Sequence, residues 1–418
     1  MHVVIYEPCP RGHRYTYVKR IVNAMQGLPI KLTLATTPNP QEHETWRHQL
    51  EPLKDSFALA DNYKEEDPTG KFSFAWRTAA GFARACRELK PDHVIIPSGD
   101  GVVEMIAARR LLLQPSRPAS VETEAMFMGV SWVYINRGTF RRWAKRRAWA
   151  FALGASGIRT FHFIDPLVVR SIKALTPGIA ARTVLVPDPV EALPEVSRAE
   201  ARTRLGIEES GRLIACVGRM DERKGIDLLI RAFMKASLAS TDRLLLMGTF
   251  MPEIKAILAG EAKPLVDSGR IVVVDGYVSD EQLALAIAAA DLVAVTYRRH
   301  LGSASILIRA AAQKRPVVTS DRGFLGETCA RFGLGTACHI RDIDTLAAAL
   351  RTSLENSHGF TPSPAAARFV EFHSVANAQL YWARRVRERL GLAAPTALRT
   401  WDSVLETALP LPGGEPAA

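Results

Sequence analysis

The stretch LIACVGRMDERKGIDLLIRAF, residues 213–233, places an apolar run, a charged turn and an amphipathic segment in immediate succession. Its opening run, LIACV, is apolar without alternation, as is typical of a strand buried on both faces of a parallel sheet. The apolar residues after the turn recur at helical spacing: Ile226, Leu229, Ile230 and Phe233. A strand followed this closely by a helix indicates an α/β fold with a parallel sheet.

The turn between these elements carries Arg219 and Lys224. Open α/β sheets bind ligands at the carboxyl ends of their strands, and the N-terminus of the following helix adds positive partial charge. Two cations at this place favour an anion site, while a solvated charged loop is the alternative for an isolated Arg-Lys pair.

The pattern G-R-x-x-x-x-K-G before an apolar helix resembles the donor-phosphate motif of the retaining glycosyltransferases of family 4. The resemblance implies the GT-B fold, an α/β architecture of two Rossmann-like, doubly wound parallel-sheet domains facing across a cleft. It also implies that Arg219 and Lys224, beside Gly218, bind the diphosphate of a nucleotide-sugar donor, and that transfer retains the anomeric configuration.

The rest of the second half alternates strands and helices, as a doubly wound sheet requires. The loop with Tyr277 and Val278 resembles the family's loop near the nucleotide base. Ser303 and Ser305 stand at a helix start, where free N–H groups and hydroxyls can hold phosphate. Glu327 matches the acid that ends a strand-to-loop pattern of the family, and a structural role as a cap is its alternative.

Two acids of the family are missing. Family members carry a Glu, seven residues and a second Glu before a Pro-Val-Val strand, and these acids hold the donor sugar and the ribose. Counted back from Pro316, the positions fall on Leu301 and Arg309. Arginine only donates hydrogen bonds, so it cannot accept one from a hydroxyl. Arg309 is therefore expected at the donor site in a different role.

The first half opens with a strand at Val3 to Tyr6 and a loop with Gly12 and His13 before a helix, which is a Rossmann-like opening. Either this loop approaches the donor or acceptor, or Gly12 only permits the turn. Residues 37–71 are polar and predict a surface insertion. Asp100 follows a strand and is either an acceptor-binding carboxylate or a helix N-cap.

The stretch SVETEAMFMGVSW, residues 120–132, lies where family members often carry a catalytic His, and it contains none. Glu122 or Glu124 is the candidate to take a carboxylate role there, and Glu124 is the predicted catalytic residue. A solvated pair of acids is the alternative. His162 lies in an alternating strand, which favours a packed role in the core.

We predict a first, acceptor-side domain over residues 1–188 and a donor domain over residues 189–370. The resemblance implies that a helix over residues 371–390 crosses back to the first domain. Residues 391–418, rich in Ala, Leu, Pro and Gly, predict a loose tail.

The segment RGTFRRWAKRR, from Arg137 to Arg147, combines cations with aromatic residues. This composition suits an anionic membrane surface, and an ordinary helix with a solvated basic face is the equal alternative. Nucleic acid is not expected as a partner, because no binding module accompanies the charges.

The chain of 418 residues has a net charge of +11, which favours anionic ligands. Its five cysteines form no CxxC pair, and no apolar run reaches the ~18 residues of a membrane span. We therefore expect a cytoplasmic protein that is free of disulfides, with membrane association left open. Asp342 and Asp344 resemble a metal-binding DxD signature but are better interpreted as a helix cap.

The sequence thus predicts a glycosyltransferase that uses a nucleotide sugar, needs no metal and has no other cofactor. Metal independence is expected because Arg219 and Lys224 can neutralise the leaving diphosphate themselves. The acceptor, whether glycan, lipid-linked or a small molecule, is open. A catalytically weakened GT-B scaffold that binds a nucleotide or a partner without transfer is the alternative, motivated by Leu301 and Arg309.

Overall fold

The computed structural model describes residues 1–10, 14–63, 71–113, 121–130, 140–174, 177–191, 196–298, 300 and 302–411. Two compact units divide the chain. Unit 1 contains Met1–Pro187 and Val375–Leu398, and unit 2 contains Asp188–Ser374 together with the segment that starts at Arg399. The chain therefore leaves unit 1 after Pro187 and returns to it for one stretch near the C-terminus.

Unit 1 is built on a seven-stranded parallel sheet with strand order β3-β2-β1-β4-β5-β6-β7. Its strands are β1 His2–Tyr6, β2 Lys31–Ala35, β3 Ala58–Ala60, β4 His93–Ile96, β5 Glu122–Phe127, β6 Thr160–Phe163 and β7 Thr183–Leu185. Its helices are α1 Arg14–Met25, α2 Glu44–Gln49, α3 Lys71–Leu89, α4 Val102–Leu113, α5 Phe140–Ala155, α6 Pro166–Lys173, α7 Pro177–Ala180 and α17 Val375–Arg389.

Unit 2 repeats this plan with a six-stranded parallel sheet in the order β10-β9-β8-β11-β12-β13. Its strands are β8 Leu213–Val217, β9 Arg243–Gly248, β10 Ile271–Asp275, β11 Leu292–Val295, β12 Val317–Ser320 and β13 Gly335–Cys338. Its helices are α8 Arg198–Arg204, α9 Ile226–Lys235, α10 Pro252–Ala259, α11 Lys263–Asp267, α12 Asp280–Ala289, α13 Ser305–Ala312, α14 Gly323–Phe332, α15 Ile343–Glu355, α16 Pro364–Phe372 and α18 Trp401–Leu405.

Alternate residues of the central strand β1 belong to different hydrophobic clusters, which shows that the sheet of unit 1 is covered on both faces. Val3 and Ile5 pack in one cluster, with helices α1 and α17. Val4 and Tyr6 pack in another, with helices α3 and α4. An unbroken apolar run is the sequence signature of such a strand, since neither face meets water.

Local capping fixes several helix starts in unit 2. Ser279 and Gln282 form a reciprocal capping box at α12. Asp342 accepts a hydrogen bond from the Asp344 N–H at 3.0 Å and caps α15, so the predicted helix cap is confirmed. The DxD-like pair therefore serves the helix end.

Two predictions for the termini and insertions are corrected. Residues 37–71 are not only surface, because they include β3 and the side chains of Trp46 and Leu50, which are buried against α1. The predicted loose tail contains α18, in which Val404 is fully buried and the Trp401 ring packs on Phe332. In both cases a few large apolar residues in a polar stretch supply the packing.

The stretch that contains Glu124 is the buried strand β5, not a solvated loop. The Glu124 carboxylate accepts a hydrogen bond from His162 Nε2 at 2.8 Å and lies 3.3 Å from His93 Nε2. From α17, Arg385 and Arg389 donate to its Oε1 at 2.7 and 3.0 Å. Five ionisable groups from β4, β5, β6 and α17 thus meet inside unit 1.

A chain of hydrogen bonds continues from this carboxylate into α17. The Tyr381 hydroxyl lies 2.9 Å from His162 Nδ1. Because the Glu124 carboxylate only accepts, His162 Nε2 carries the proton and Nδ1 accepts from Tyr381. Burial lowers the pKa of His162, so its ring is neutral at pH 7. The predicted core role of His162 agrees with this geometry.

Glu124 is ionised in this network. Burial alone acts to raise the pKa of Glu124, but the hydrogen bond from His162 and the nearby His93 ring outweigh it and hold the pKa well below its usual range. The lowered pKa means that folding favours the carboxylate form.

We predict that Glu124→Gln lowers the free energy of unfolding of unit 1 by about 3 kcal/mol at pH 7, because it leaves two arginines without their buried partner. The contribution of a carboxylate with a lowered pKa is complete above the ordinary value of 4.5 and is lost as the pH falls through the folded-state pKa. The difference between wild type and variant should therefore shrink below pH 4.5. Urea unfolding and amide exchange of α17 measure both effects.

Glu122→Gln is the matched control. Its carboxylate also pairs with Arg389, at 3.0 Å, but it is partly exposed, so its loss should cost less than about 1 kcal/mol. A Glu124→Gln variant with unchanged stability and unchanged α17 exchange would contradict the anchoring role. If such a variant also lost activity, the predicted catalytic role of Glu124 would be supported instead.

Candidate functional site

The strand order of unit 2 changes direction between β8 and β11, and open α/β sheets bind ligands at such a point. The turns that follow these two strands contact each other. The Thr296 Oγ1 donates to the Lys224 carbonyl at 3.2 Å, and the Arg298 N–H donates to the Arg223 carbonyl at 3.0 Å. The predicted cations on the first turn are therefore joined to a second loop that the motif did not include.

Two glycines allow the strand ends to approach closely at this point. A Cβ on Gly248, the last residue of β9, would lie 1.6 Å from the Gly218 carbonyl oxygen. A Cβ on Gly218 would lie 2.7 Å from Lys224 Nζ, and Gly218 has a φ of +101°. Any side chain at position 218 would displace the lysine, so this glycine is required for the position of Lys224.

Lys224 is a buried cation at the end of β8. Its side chain extends beside Gly218, and Nζ donates to the Val217 carbonyl at 2.6 Å. The ammonium also lies 5.3 Å from the centre of the Tyr297 ring, a distance at which a cation is attracted to an aromatic face. An ammonium has three N–H donors, so two remain beyond the bond to Val217.

Asp221 organises the cations of the turn. Its carboxylate accepts from the Lys224 N–H at 3.0 Å and caps a short 3-10 turn. It also lies 3.1 Å from Arg219 Nε and 3.7 Å from Arg223 Nε. Asp221 was not predicted as a site residue, although an aspartate three residues before the lysine is the signal of such a cap.

Arg219 differs from Lys224 in exposure. Its side chain is 61% exposed, and its Nη2 lies 3.0 Å from Met251 Sδ. The structure thus places one fixed, buried ammonium on the same turn as the accessible guanidinium groups of Arg219 and Arg223. An exposed guanidinium can bind an anion bidentately without leaving a buried group unpaired.

The loop after β11 forms a second side of the site. The Tyr297 ring contacts the guanidinium of Arg223 at 5.4 Å. Arg298 pairs with Asp227 of α9, a residue that is 4% exposed. Sequence reasoning missed this loop, since its contacts with the first turn depend on β8 and β11 lying side by side.

His300 lies on the same loop, with its ring 4.6 Å from that of Tyr297. Its Nε2 is 2.8 Å from the Ser303 carbonyl oxygen. Burial lowers the pKa of His300; the Ser303 carbonyl and Asp188 act in the opposite direction, and Arg223 and Lys224 lower it further. The imidazole is therefore neutral at pH 7.

The predicted serines lie at the start of α13. Ser305 is the first residue of the helix and is exposed. The Ser303 hydroxyl is buried, and no hydrogen-bond partner for it is found among the described residues. Phosphate binding by these serines remains a prediction.

Arg309 turns toward the start of α12. Its Nη2 donates to Asp280 Oδ1 at 3.0 Å, while Nη1 is buried and has no hydrogen-bond partner in the described part of the chain. Leu301, the position of the other missing acid, lies outside the described residues. One nitrogen of the guanidinium, Nη1, therefore still has N–H donors without an acceptor. As expected, Arg309 can donate hydrogen bonds but cannot accept one from a hydroxyl.

The other predicted donor-site residues of unit 2 are placed as follows. Tyr277 follows β10 and is 89% exposed, and Val278 beside it is partly exposed. Glu327 lies in α14 and pairs with Arg331 one turn later at 3.0 Å. Their binding roles stay predictions.

In unit 1, the predicted Gly12 and His13 lie outside the described residues. Glu124 is held in the network of β5 and α17 described above, which occupies both of its oxygens. Asp100 accepts from the N–H groups of Met128 and Gly129 at 2.8 and 3.2 Å, so it ties the loop after β4 to the loop after β5.

Glu7 is a residue that sequence reasoning missed. It follows β1, next to the point where the strand order of unit 1 reverses between β1 and β4. Its side chain is fully buried, Oε1 accepts from the Cys9 N–H at 3.1 Å, and Oε2 has no hydrogen-bond partner among described residues. Burial raises its pKa, against the effect of Arg14. The signal in the sequence was an acid directly after the first strand.

Within the described ranges, no group of three His, Cys, Asp or Glu side chains is arranged to hold a metal ion. The expected metal independence remains a prediction. All five cysteines are buried and free.

Residues 211–356 match the family model described as Glycosyl transferases group 1. The match covers less than half of the chain, lies within unit 2 and includes the turn with Arg219 and Lys224. No curated protein matches this chain in sequence.

Solved structures match nearly the whole chain in fold. Sucrose-phosphate synthase from Thermosynechococcus elongatus is 15% identical, with a TM-score of 0.70 over 94% of this chain and 99% of that one. HepE from Anabaena, solved in complex with UDP, is 14% identical, with a TM-score of 0.65 over 94% and 100%. WaaG, a glycosyltransferase involved in lipopolysaccharide biosynthesis, is 17% identical, with a TM-score of 0.61 over 92% and 99%.

The two doubly wound parallel sheets and these structural neighbours confirm the predicted GT-B fold. The chain has the fold of the GT-B glycosyltransferases, and its unit 2 carries a glycosyltransferase group 1 domain.

Proposed function

We propose that the protein is a metal-independent, retaining glycosyltransferase of family 4, which transfers a sugar from a nucleoside diphosphate to an acceptor. The observation that carries the proposal is the fixed ammonium of Lys224 beside Arg219 at the switch point of unit 2. The family model matches the segment that contains both residues.

The chemistry follows from where charge develops. When the bond between the sugar and the phosphate breaks, negative charge grows on the leaving diphosphate. Preorganised cations and N–H donors stabilise that charge more in the transition state than in the ground state. Lys224 is buried against Tyr297, where water screens the interaction less than at the surface. Arg219 is accessible to the distal phosphate oxygens.

A uridine nucleotide sugar is the proposed donor class. HepE, which shares the fold, was solved with UDP, with UDP and glucose, and with UDP-glucose. In this chain Tyr277 and Val278 are the proposed contacts to the base. Ser303 and Ser305, at the start of α13, are the proposed contacts to phosphate.

We assign the acceptor to unit 1. Buried carboxylates at its switch point suit hydroxyl groups, since they accept hydrogen bonds. Glu7 has a free Oε2 among described residues, and burial raises the pKa of Asp100 as well as that of Glu7. The acceptor class stays open among glycans, lipid-linked molecules and small hydroxyl compounds.

A second candidate function is a GT-B scaffold that binds a nucleotide without transfer. Arg309 favours it, because a guanidinium stands where the resemblance expects an acid that accepts from the ribose. The two candidates differ in turnover and not in nucleotide binding, so calorimetry with nucleoside diphosphates must be paired with an assay of donor hydrolysis and transfer.

We predict that Arg219→Ala lowers kcat by about 10²-fold and that Lys224→Ala lowers it by about 10³-fold, since each removes a donor to the leaving diphosphate. The experiment starts with a thermal-shift screen of nucleotide sugars, because a ligand that binds the native state raises the melting temperature. Turnover of the stabilising donor is then measured in each variant.

Lys235→Ala is the matched control for these variants. Lys235 ends the helix α9 that starts after the cation turn, and it pairs with Asp344. Its removal should leave kcat within twofold. Normal turnover in the Arg219 and Lys224 variants would refute the diphosphate assignment, while tight nucleotide binding without turnover in wild type would establish the scaffold.

Activity is predicted to survive chelation. Treatment with EDTA should leave kcat and KM unchanged, and added Mg²⁺ should not raise them, because the two cations already neutralise the diphosphate. The comparison uses chelated and untreated enzyme at equal ionic strength. A strict need for Mg²⁺ would contradict the metal-independent mechanism.

We also propose that unit 1 docks on anionic membrane surfaces through α4 and α5, which pack against each other. On α5 the exposed cations Lys145 and Arg147 lie in sequence between the exposed aromatic residues Trp143 and Phe151. The large exposed apolar side chains of the two helices are Leu111, Leu112, Leu113, Phe140, Trp143 and Phe151. Arg137 lies outside the described residues, as do the side chains of Arg141 and Arg142. Among the described residues, no helix is long and apolar enough to cross a bilayer.

Vesicle flotation tests the docking proposal. The protein should float with vesicles that contain phosphatidylserine and stay below with phosphatidylcholine alone. Lys145→Glu should weaken binding at least fivefold, since each cation near an anionic surface contributes about 1 kcal/mol. Lys54→Glu, on an exposed 3-10 turn of unit 1, is the control and should change binding less. Flotation that is independent of anionic lipid would overturn the proposal.

A further inference from the structure

The site of unit 2 is rich in donors and poor in acceptors. Arg219, Lys224 and Arg309 only donate hydrogen bonds. The Asp221 carboxylate is engaged by the cations of its own turn. Asp227 pairs with Arg298 through Oδ2, and its Oδ1, which has no hydrogen-bond partner among the described residues, is buried in a residue that is only 4% exposed, so it does not face a ligand. Sugar hydroxyls must donate as well as accept, so a transferase site needs an acceptor that these residues do not supply.

His300 supplies such an acceptor. A carbonyl oxygen only accepts, so the 2.8 Å contact between Nε2 and the Ser303 carbonyl places the ring proton on Nε2. In that tautomer Nδ1 carries a lone pair. No described residue is found hydrogen-bonded to Nδ1, and the ring is held in place by Tyr297.

The surroundings keep this acceptor available. Burial disfavours a second proton on the ring, and Arg223 and Lys224, from the turn after β8, act in the same direction. Asp188 and the Ser303 carbonyl favour it, and the balance lies on the side of the neutral ring. An imidazolium would have no acceptor, so neutrality is a condition for the role.

His300 lies next to the position of the missing acid that would hold the donor sugar. It directly precedes position 301, where the resemblance expects the acid that holds the donor sugar and where this chain has leucine. It also lies near the ammonium that is proposed to hold the diphosphate, next to which the sugar must lie. Arg309, at the other missing acid, offers only donors.

We infer that His300 Nδ1 accepts a hydrogen bond from one hydroxyl of the donor sugar and so determines which sugar is used. The inference rests on the proposed function, of which it names a specificity-determining residue. A carboxylate at this place could accept from two neighbouring hydroxyls at once, whereas Nδ1 has a single lone pair. We therefore expect His300 to recognise one hydroxyl of the donor sugar, whereas the acid of family members can recognise more than one.

The test removes the His300 side chain and each hydroxyl of the donor sugar, first singly and then together, as in a double-mutant cycle. Donor kcat/KM is measured for wild type, His300→Ala and His300→Asn with the parent nucleotide sugar and with its monodeoxy analogues. Asparagine places an amide oxygen close to the position of Nδ1. His300→Ala should lower kcat/KM for the parent donor about tenfold, the value of a neutral hydrogen bond, and His300→Asn should recover part of it.

One deoxy analogue should be insensitive to the alanine variant, because the hydroxyl that His300 reads is already absent. The affinity for the free nucleoside diphosphate, measured by calorimetry, should stay within twofold in both variants. In wild type, kcat/KM should fall as the pH drops through the lowered pKa of His300, on the acid side of the ordinary imidazole value, because Nδ1 then gains a proton. This acid limb should be missing in His300→Asn.

Two results would overturn the inference while leaving the transferase intact. One is an equal loss in kcat/KM for the parent donor and every deoxy analogue. The other is a loss of diphosphate affinity that accounts for the whole effect, which would show that His300 only shapes the loop. If wild type binds nucleotide and turns over no donor, the proposed function fails, and the inference fails with it.

Discussion

The placement of one ammonium group governs the rest of the site in unit 2. Lys224 Nζ fits beside β8 only because Gly218 has no side chain, and Asp221 sets the turn that brings the lysine back toward the strand. The loop after β11 then closes on it through Tyr297. Without the buried ammonium, the pKa of His300 would be lowered less, and the site would have fewer hydrogen-bond donors.

Much of the architecture could be predicted from the sequence. Strands such as β8 and β9 are unbroken apolar runs between turn residues, as is typical of strands that are buried on both faces of a parallel sheet. The strand β5 was missed because its acids resemble a solvated loop. The residues that form hydrogen bonds with the buried Glu124 carboxylate, and so allow it in a core, lie far away in sequence, on β6 and α17. No local pattern contains that information.

In the candidate site, too, some residues could be predicted from the sequence and others could not. The cation turn could be predicted because its strand, spacing and helix are consecutive. Tyr297 and His300 could not, since they reach Lys224 only through the adjacency of β8 and β11, which sequence order does not give. Arg309 shows a further limit. The resemblance located the position, but the contact with Asp280 that now holds the guanidinium is a property of the folded chain.

The return of α17 to unit 1 has a consequence for how the protein can be divided. The chain passes between the units after residues 187, 374 and 398, so neither unit is one continuous piece of polypeptide. A fragment that stops at Pro187 would lack Arg385, Arg389 and Tyr381 and would expose a sheet with an unneutralised inner carboxylate. Unit 1 is therefore complete only after residues 375–398 have been synthesised, and until then the carboxylate inside it lacks its arginine partners.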